Sequence, residues 1–535
     1  MTGGAAPVLR PYQREAVDAV LAARRSGVRR MVVCLPTGAG KTVIFSELAR
    51  LARRQVLVLA HREELLGQAR EKLERALGGR RVVALERGSD RASAEAGVLV
   101  CSIRSLHEER LARVIRGRDI GLILYDECHH AAAEDNLRVL RQLGAFDPDW
   151  TGTLLGFTAT TARGDGKGLD SVFEKIVYSK SLPAMIGEGY LVPLRGYRIA
   201  TTADLSRLPV GGQDFREEDL AEAVDIEDRN ALVARSIQEL ARDRRTLVFC
   251  VTVQHARHLS FALNRLGVPA GMVYGEMAME ERARVLSEFR AGRLQALTNV
   301  AVLTEGFDDP GVSCVAMARP TRSEGLYAQC VGRGTRLFEG KKDCLILDFV
   351  DVSNLSLCTL PSLFGMPRYL DLQGEDADEA GRIWQKILFD HPGFDLEAVS
   401  VTLPEIQERA AAFDPLTLEV HEDVRAISGN AWFSLGRYGL GLHFERAPGR
   451  LVEALVLRRG GRGKIWEAAF DGKSRARFSE LEEAVAAVDY EIERRGRAVA
   501  LSARPEAEWR RASVAGGVAA EVLRRAVWDR VTARR

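Results

Sequence analysis

At 535 residues the chain is too long for one hydrophobic core, and about 150 residues per domain divides it into three or four domains. Hydrophobic residues make up 46% of it and the net charge is +2, so it reads as globular while its overall charge is silent about a polyanion partner. No apolar run approaches the roughly 18 residues of a membrane span, and the opening "MTGGAAPVLRPYQ" has no apolar h-region or basic amphipathic arm, so no membrane partner and a cytoplasmic location are expected.

Up to about residue 350, short β-rich apolar runs alternate with longer helical patterns, which predicts parallel sheets with crossover helices. The first set is "RMVVCLP", "QVLVLAH", "GVLVCS", "GLILYDE" and "TLLGFTAT". Its first strand runs into "VVCLPTGAGKT", residues 32–42. Glycines such as Gly38 and Gly40, with Thr37 and Ala39 between and before them, let backbone N–H groups approach a phosphate. The following helix N-terminus adds its dipole, and Lys41 with Thr42 supplies a cation and a metal-binding hydroxyl. A strict phosphate loop has glycine where Leu35 stands, so a plain strand-to-helix turn stays open at this point. The fourth run ends in Asp126 and Glu127, two carboxylates at the carboxyl edge of a sheet, where open α/β folds place their ligands. Asp126 is suited to hold Mg²⁺ and Glu127 to orient or deprotonate an attacking water, with a bland helix cap as the alternative. A metal site built from Cys128, His129 and His130 is disfavoured, because adjacent strand residues point to opposite faces.

A polar, helical stretch over residues 196–240 reads as a connection or inserted element. A second strand set follows: "RTLVFCVT", "AGMVYGE", "QALTNVAVL", "SCVAMARP" and "DCLILDFVD". Residues 361–420 are acidic, while the chain from about 421 onward is basic by roughly six charges. Its arginines, Arg458, Arg459, Arg462, Arg475 and Arg477 among them, suit a nucleic-acid contact or simply reflect an arginine-rich composition. Three strand-like runs, "NAWFSLGRYGLGLHF", "RLVEALVLRR" and "KIWEAAFDG", precede a helix with Leu481, Ala484, Val485, Val488 and Ile492 on one face. That predicts a small three-strand-plus-helix domain. Eight cysteines without a C-x-x-C pair argue against a zinc ribbon or a disulfide framework, and Cys34, Cys101 and Cys250 read as reduced core residues.

Six stretches in order, "LRPYQREAV", "LPTGAGKT", "DECHH", "TAT", "LTNVAVLTEGFDDP" and "QCVGRGTRL", resemble the motif set of superfamily 2 helicases. Within that superfamily the set is similar to the DNA helicase and translocase branch with XPB-like and RadD-like proteins and the fungal mitochondrial branch-migration helicase. The resemblance covers residues 9 to about 352, and this family's loop does not require glycine at position 35. It implies an α/β fold of two tandem RecA-like parallel-sheet domains followed by a C-terminal α+β accessory domain. The expected boundaries are 1–195 for the ATP-binding domain, 196–240 for the connection, 241–352 for the second RecA-like domain, 353–424 for an acidic linker and 425–535 for the accessory domain.

The resemblance also implies roles. Gln13 would read adenine, with Arg10 in support; Gly38, Gly40, Lys41 and Thr42 would hold the phosphates of ATP, with Mg²⁺ on Thr42 and Asp126. His129 would couple the nucleotide site to Thr158 and Thr160. Arg333 and Arg336, three apart on an expected helix and sharing a face with Gln329, would place positive charge on the γ-phosphate in the transition state. Gly306 and Asp308 would sit at the interdomain cleft, Asp308 on the ribose. Backbone grips on nucleic acid would come from His61 and Arg62, from Ser102 and Arg104, from Thr252, and from Thr298 with Asn299. Ser102 and Arg104 stand where the family more often has threonine and glutamine. RadD-like relatives carry a cysteine-rich zinc region after the core; only Cys358 lies beyond position 350 here, so no zinc is expected.

An ATP-dependent DNA helicase or translocase, acting in repair or recombination on single-stranded, duplex or branched DNA, is the leading expectation. RNA is the second candidate substrate, since the "DECH" spelling is shared by RNA-acting relatives. The third is the motor subunit of a restriction or phage-defence complex, in which a nuclease or other protein partner would do the cutting.

Overall fold

The structure is a computed structural model. It describes residues 9–390 apart from 61–62, 87–91, 94, 160–168, 207, 212–213, 305–306 and 353–356, and beyond them 401–412, 424, 428, 430, 432–434, 439–447, 450–459, 465–470 and 473–494. His61, Arg62, Thr160 and Gly306 lie outside the described residues. The chain divides into two units, residues 1–381 and 382–535.

In the first unit the apolar runs become strands of two parallel sheets. The first sheet holds β1 (Arg30–Cys34), β2 (Gln55–Ala60), β3 (Val83–Glu86), β4 (Val98–Ser102), β5 (Ile120–Asp126), β6 (Thr153–Thr158) and β7 (Lys175–Ser179). Their order is β3-β4-β2-β5-β6-β1-β7, every pairing parallel. α1 (Pro11–Arg25) precedes β1, α2 (Lys41–Leu51), α3 (Glu63–Leu77), α4 (Glu108–Ile115) and α5 (Glu134–Gln142) run between strands, and α6 (Leu182–Gly187) follows β7. Strands covered on both faces need apolar side chains at every position. β4 and β6 are buried along their whole length and β2 at all but its first residue. The edge strand β7 is not: none of its five residues is buried, which is why "KIVYS" carries no strand signal in the sequence.

The second sheet holds β8 (Leu194–Asp204), β11 (Thr246–Phe249), β12 (Ala270–Val273), β13 (Ala296–Asn299), β14 (Cys314–Met317) and β15 (Cys344–Val352), in the order β12-β13-β11-β14-β15-β8, again all parallel. A hairpin of β9 (Val210–Gly211) and β10 (Asp214–Phe215) and the helices α7 (Glu217–Val224) and α8 (Glu227–Leu240) fall between β8 and β11. The helices α9 (Val253–Arg265), α10 (Met279–Arg290) and α11 (Glu324–Val331) connect later strands. Residues 196–240, read from sequence as a connection, therefore supply an edge strand of the second sheet. Alternating exposed and buried positions along β8 hide it from a search for apolar runs.

One buried ion pair ties this stretch in. Arg229 on α8 donates from Nε and Nη2 to Asp351 on β15 at 2.6 and 2.9 Å and from Nη1 to the Ala318 carbonyl at 3.0 Å, and the Thr201 hydroxyl of β8 donates to the same carboxylate. Residues after β15 stay with this sheet: Leu360 of α12 (Leu360–Leu363) donates its N–H to Asp348 at 2.7 Å, and Arg198 donates to Asp371 of β16 (Leu370–Asp371) at 3.2 Å.

In the second unit, α13 (Ala377–Asp390), which begins in the first, is followed by β17 (Val401–Thr402) and α14 (Leu403–Ala412). Then comes an antiparallel meander of β18 (Phe433–Ser434), β19 (Gly439–Ala447), β20 (Arg450–Arg459), β21 (Ile465–Phe470) and β22 (Lys473–Phe478), with α15 (Leu481–Arg494) after it. The sheet has five strands rather than the three expected. "KSRARF", not among the expected strands, pairs with β21 as an edge strand, a place where charge is tolerated. Ala484, Val485, Val488 and Ile492 are buried in one cluster with Leu442, Val452, Val456 and Phe470, as the helical spacing predicts. No helix among the described residues is long and apolar enough to cross a membrane.

Candidate active site

β1 delivers the chain into a loop whose two glycines take the left-handed conformation, Gly38 at φ +88° and Gly40 at φ +69°, a region open to glycine at no steric cost. α2 starts immediately at Lys41, so its free N–H groups and dipole face the loop. α1 holds the loop from outside. The Tyr12 hydroxyl donates to the Ala39 carbonyl at 2.7 Å, and the Gln13 amide donates to the Tyr12 oxygen at 3.3 Å and to the Ala39 carbonyl at 3.5 Å, while accepting from the Arg10 N–H at 3.0 Å. Gln13, expected to read a base, lies against the loop through these contacts.

β5 brings Asp126 and Glu127 to the same edge. Glu127 is a non-glycine residue in the left-handed region, φ 52° and ψ 51°, and the turn it makes aims its carboxylate at Lys41, 3.3 Å away. That turn packs on β6 only because position 156 is glycine: a Cβ there would stand 2.6 Å from Cys128 Sγ. Burial raises the Glu127 pKa, but Lys41, His129 and Arg333 outweigh it and hold the carboxyl well below its ordinary range. Burial works equally against the Lys41 charge, and Glu127 and Asp126 more than restore it, leaving the Lys41 pKa raised. Both shifts favour the charged forms. His129 Nδ1 lies 3.2 Å from Thr158 Oγ1 and 3.4 Å from Glu127 Oε2, so the end of β6 and the catalytic carboxylate candidate share one imidazole.

The second sheet closes the cleft. Arg333 and Arg336 lie beyond α11, not on it: the helix ends at Val331, and the glycines of "VGRGTR" continue as a loop. Arg333 donates to the Thr304 carbonyl at 2.6 and 3.1 Å and to the Phe307 carbonyl at 3.0 Å. Arg336 donates to the Phe307 carbonyl at 3.1 Å and stands 3.2 Å from Asp308. Lys72 of α3 reaches across from the first sheet to the other oxygen of Asp308 at 2.8 Å. Burial raises the Asp308 pKa, and Arg336 and Lys72 more than reverse that, lowering it overall. Thr335 donates to the Thr37 carbonyl at 3.4 Å, so the two sheets meet directly over the glycine loop.

One cleft is lined by Thr37, Gly38, Gly40, Lys41, Thr42, Asp126, Glu127, Asp308, Arg333 and Arg336, with Lys72 among them. Four cations and three carboxylates around a backbone N–H cradle match a polyphosphate with a divalent cation: Thr42 and Asp126 offer the hard oxygens that Mg²⁺ takes, and the cations offer donors for phosphate oxygens. Gln329 is buried and does not line this cleft. Lys72 went unnoticed in the sequence because a lysine on an amphipathic helix ordinarily marks its solvated face.

The expected nucleic-acid grips fare unevenly. Thr298 and Asn299 are fully buried on β13, Thr298 donating to the Ala256 and Gly271 carbonyls at 3.0 and 3.3 Å and Asn299 to the Val248 carbonyl at 3.0 Å. Their side chains tie β13 to its neighbouring strands and to α9. Ser102 is buried too, while Arg104 is exposed in the turn after β4. Thr252 is half-buried and caps α9, accepting from the His255 N–H at 3.2 Å.

Residues 6–163 match the family described as type III restriction enzyme, res subunit, and residues 228–337 match the helicase conserved C-terminal domain. The chain is 37% identical over 366 residues to the mitochondrial ATP-dependent helicase irc3 of Schizosaccharomyces pombe, covering 67% of this chain and 60% of that protein. It is 31% identical over 386 residues to the ATP-dependent helicase IRC3 of Saccharomyces cerevisiae, covering 70% and 55%. With the DNA 3'-5' translocase XPB2 of Sulfurisphaera tokodaii it shares 25% identity over 394 residues, covering 64% and 81%. The chain thus spans little more than half the length of the two fungal relatives. On the ordered motifs, the paired parallel sheets and both family matches, the chain belongs to the superfamily 2 helicases, in the branch that includes the irc3-type and XPB-like proteins.

Proposed function

We propose that the chain is a nucleic-acid-stimulated ATPase that moves on DNA, hydrolysing ATP between its two parallel-sheet domains. The observation that carries the reading is the convergence of Lys41, Asp126 and Glu127 from the first sheet with Arg333 and Arg336 from the second in one cleft. The names of the relatives support it: two carry the name ATP-dependent helicase and one the name DNA 3'-5' translocase.

In this reading the glycine loop and Lys41 bind the β- and γ-phosphates, and Thr42 and Asp126 hold Mg²⁺, which when bound neutralises charge on the phosphate oxygens. Glu127, kept ionised by Lys41, orients the attacking water and accepts its proton. Arg336, with Arg333 behind it, supplies positive charge as it builds on the transferred phosphoryl group. Each donor set sits on a different domain, so nucleotide draws the domains together and loss of the γ-phosphate releases them. Arg104 on one domain and Thr252 on the other are the backbone contacts through which that movement would reach a strand.

The test is ATP hydrolysis by the purified full chain, alone and with single-stranded, duplex and forked DNA and a matching RNA, at two salt concentrations because phosphate contacts are salt-sensitive. Stimulation by DNA above RNA is expected, abolished in Lys41→Ala. Preference for RNA would overturn the DNA assignment and leave the ATP site standing. Turnover undiminished in Lys41→Ala would overturn the site.

A further inference from the structure

Just outside the cleft, one lysine is enclosed by the backbone of the two loops that carry the arginines and Asp308. Lys341 Nζ donates to the Gly334 carbonyl at 2.5 Å, the Arg336 carbonyl at 3.0 Å and the Pro310 carbonyl at 3.2 Å. An ammonium has three N–H donors, and here each has a carbonyl. Two of those carbonyls, of Gly334 and Arg336, belong to the arginine loop itself, and the third, of Pro310, follows Asp308 and Asp309 directly. From the other side Arg333 and Arg336 both donate to the Phe307 carbonyl in that same second loop. The two loops are therefore laced together twice, once by guanidiniums inside the cleft and once by an ammonium behind it.

The inner lacing is made by groups that must also meet the nucleotide. The outer one is not: Lys341 does not line the nucleotide cleft but borders a separate polar recess with Phe338, Arg245 and Asp343. Burial pushes its pKa down to about 8, which leaves it charged at neutral pH. We infer that Lys341 is a positioning residue for the arginine finger, fixing the backbone of residues 334–336 against the Asp308 loop so that Arg336 keeps its place when its own side chain turns from Phe307 and Asp308 to the phosphate. A shift of about 1 Å in such a group costs on the order of 100-fold in rate, while nucleotide binding through Lys41 and the glycine loop is unaffected.

The inference rests on the ATPase reading above, and the experiment separates the two. Lys341→Met keeps the stem and removes the three donors. In the full chain with saturating DNA it is expected to lower kcat at least tenfold, with KM for ATP and affinity for DNA within threefold of wild type and with Lys341→Arg recovering most of the loss. In an Arg336→Ala background the same substitution is expected to change kcat less than twofold, since the side chain that Lys341 positions is gone. If Lys341→Met does not fold at the assay temperature, Lys341→Gln takes its place in the same cycle. An unchanged kcat, a matching loss in KM or DNA affinity, or an equal loss with and without Arg336 would overturn the inference. A wild-type chain without ATPase activity would instead remove the reading it rests on.

Discussion

At Glu127 a carboxylate is carried by a backbone conformation that costs a non-glycine residue on the order of 1–3 kcal/mol. The strain is sustained by the fit of the turn against Gly156 and by the ion pair with Lys41. Glu127→Gln preserves the turn and removes the base, so turnover should fall by about 10²–10⁴-fold while nucleotide binding survives, checked by single-turnover hydrolysis beside calorimetric binding. Asp348 offers a pH-dependent counterpart away from the site. Burial pushes its pKa up to about 6, with the Tyr327 hydroxyl and the Leu360 N–H as its partners. A carboxyl raised in the folded state contributes stability that is fully present below its unfolded value near 4 and is lost as pH rises through about 6. Wild type should therefore lose roughly 3 kcal/mol relative to Asp348→Asn between those pH values, measured by urea unfolding. Equal pH slopes for the two proteins would show that the burial does not tune this carboxyl. The phosphate loop and the carboxylate pair were legible in the sequence because their chemistry is local. The burial of Thr298 and Asn299 was not legible, because a polar residue inside a central strand can serve the sheet's own carbonyls and only the neighbouring strands reveal that.

At the scale of elements, the contact between the end of α11 and the glycine loop is made by atoms with almost no room. A Cβ on Gly332 would stand 2.6 Å from the Thr37 side chain and 2.9 Å from the Ala328 carbonyl, although its backbone conformation would accept any residue. Gly332→Ala should thus separate the arginine loop from the phosphate loop, lowering kcat by about tenfold or more for a strain of about 1–3 kcal/mol, read by steady-state ATP hydrolysis. A full-rate Gly332→Ala enzyme would show that the contact has slack. The inner strands and the edge strand β12 were readable as apolar runs; β7 and β8 were not, since most of their positions are not buried. The arginines were expected on a helix because three-residue spacing fits one, and the glycines on either side of Arg333 ended it.

For the whole molecule, the segment after β15 belongs to the second sheet as far as Asp371, through Leu360 and Arg198, so a cut after residue 355 would strip part of that domain. A chain ending at residue 390 should keep DNA-stimulated ATPase and lose affinity for branched DNA, measured by fluorescence anisotropy. Unchanged affinity would take DNA binding away from the five-stranded meander.

The place of β8 at the rim of the second sheet bears on how the protein can be taken apart. A recombinant C-terminal fragment cut by sequence motifs would begin near residue 241, without β8 and without Arg229, exposing the open side of β15 and stranding the Asp351 carboxylate in an apolar interior. Begun at Pro193, the same fragment carries its own border and its own counterion, and it is the one expected to express as a soluble, separately crystallisable half.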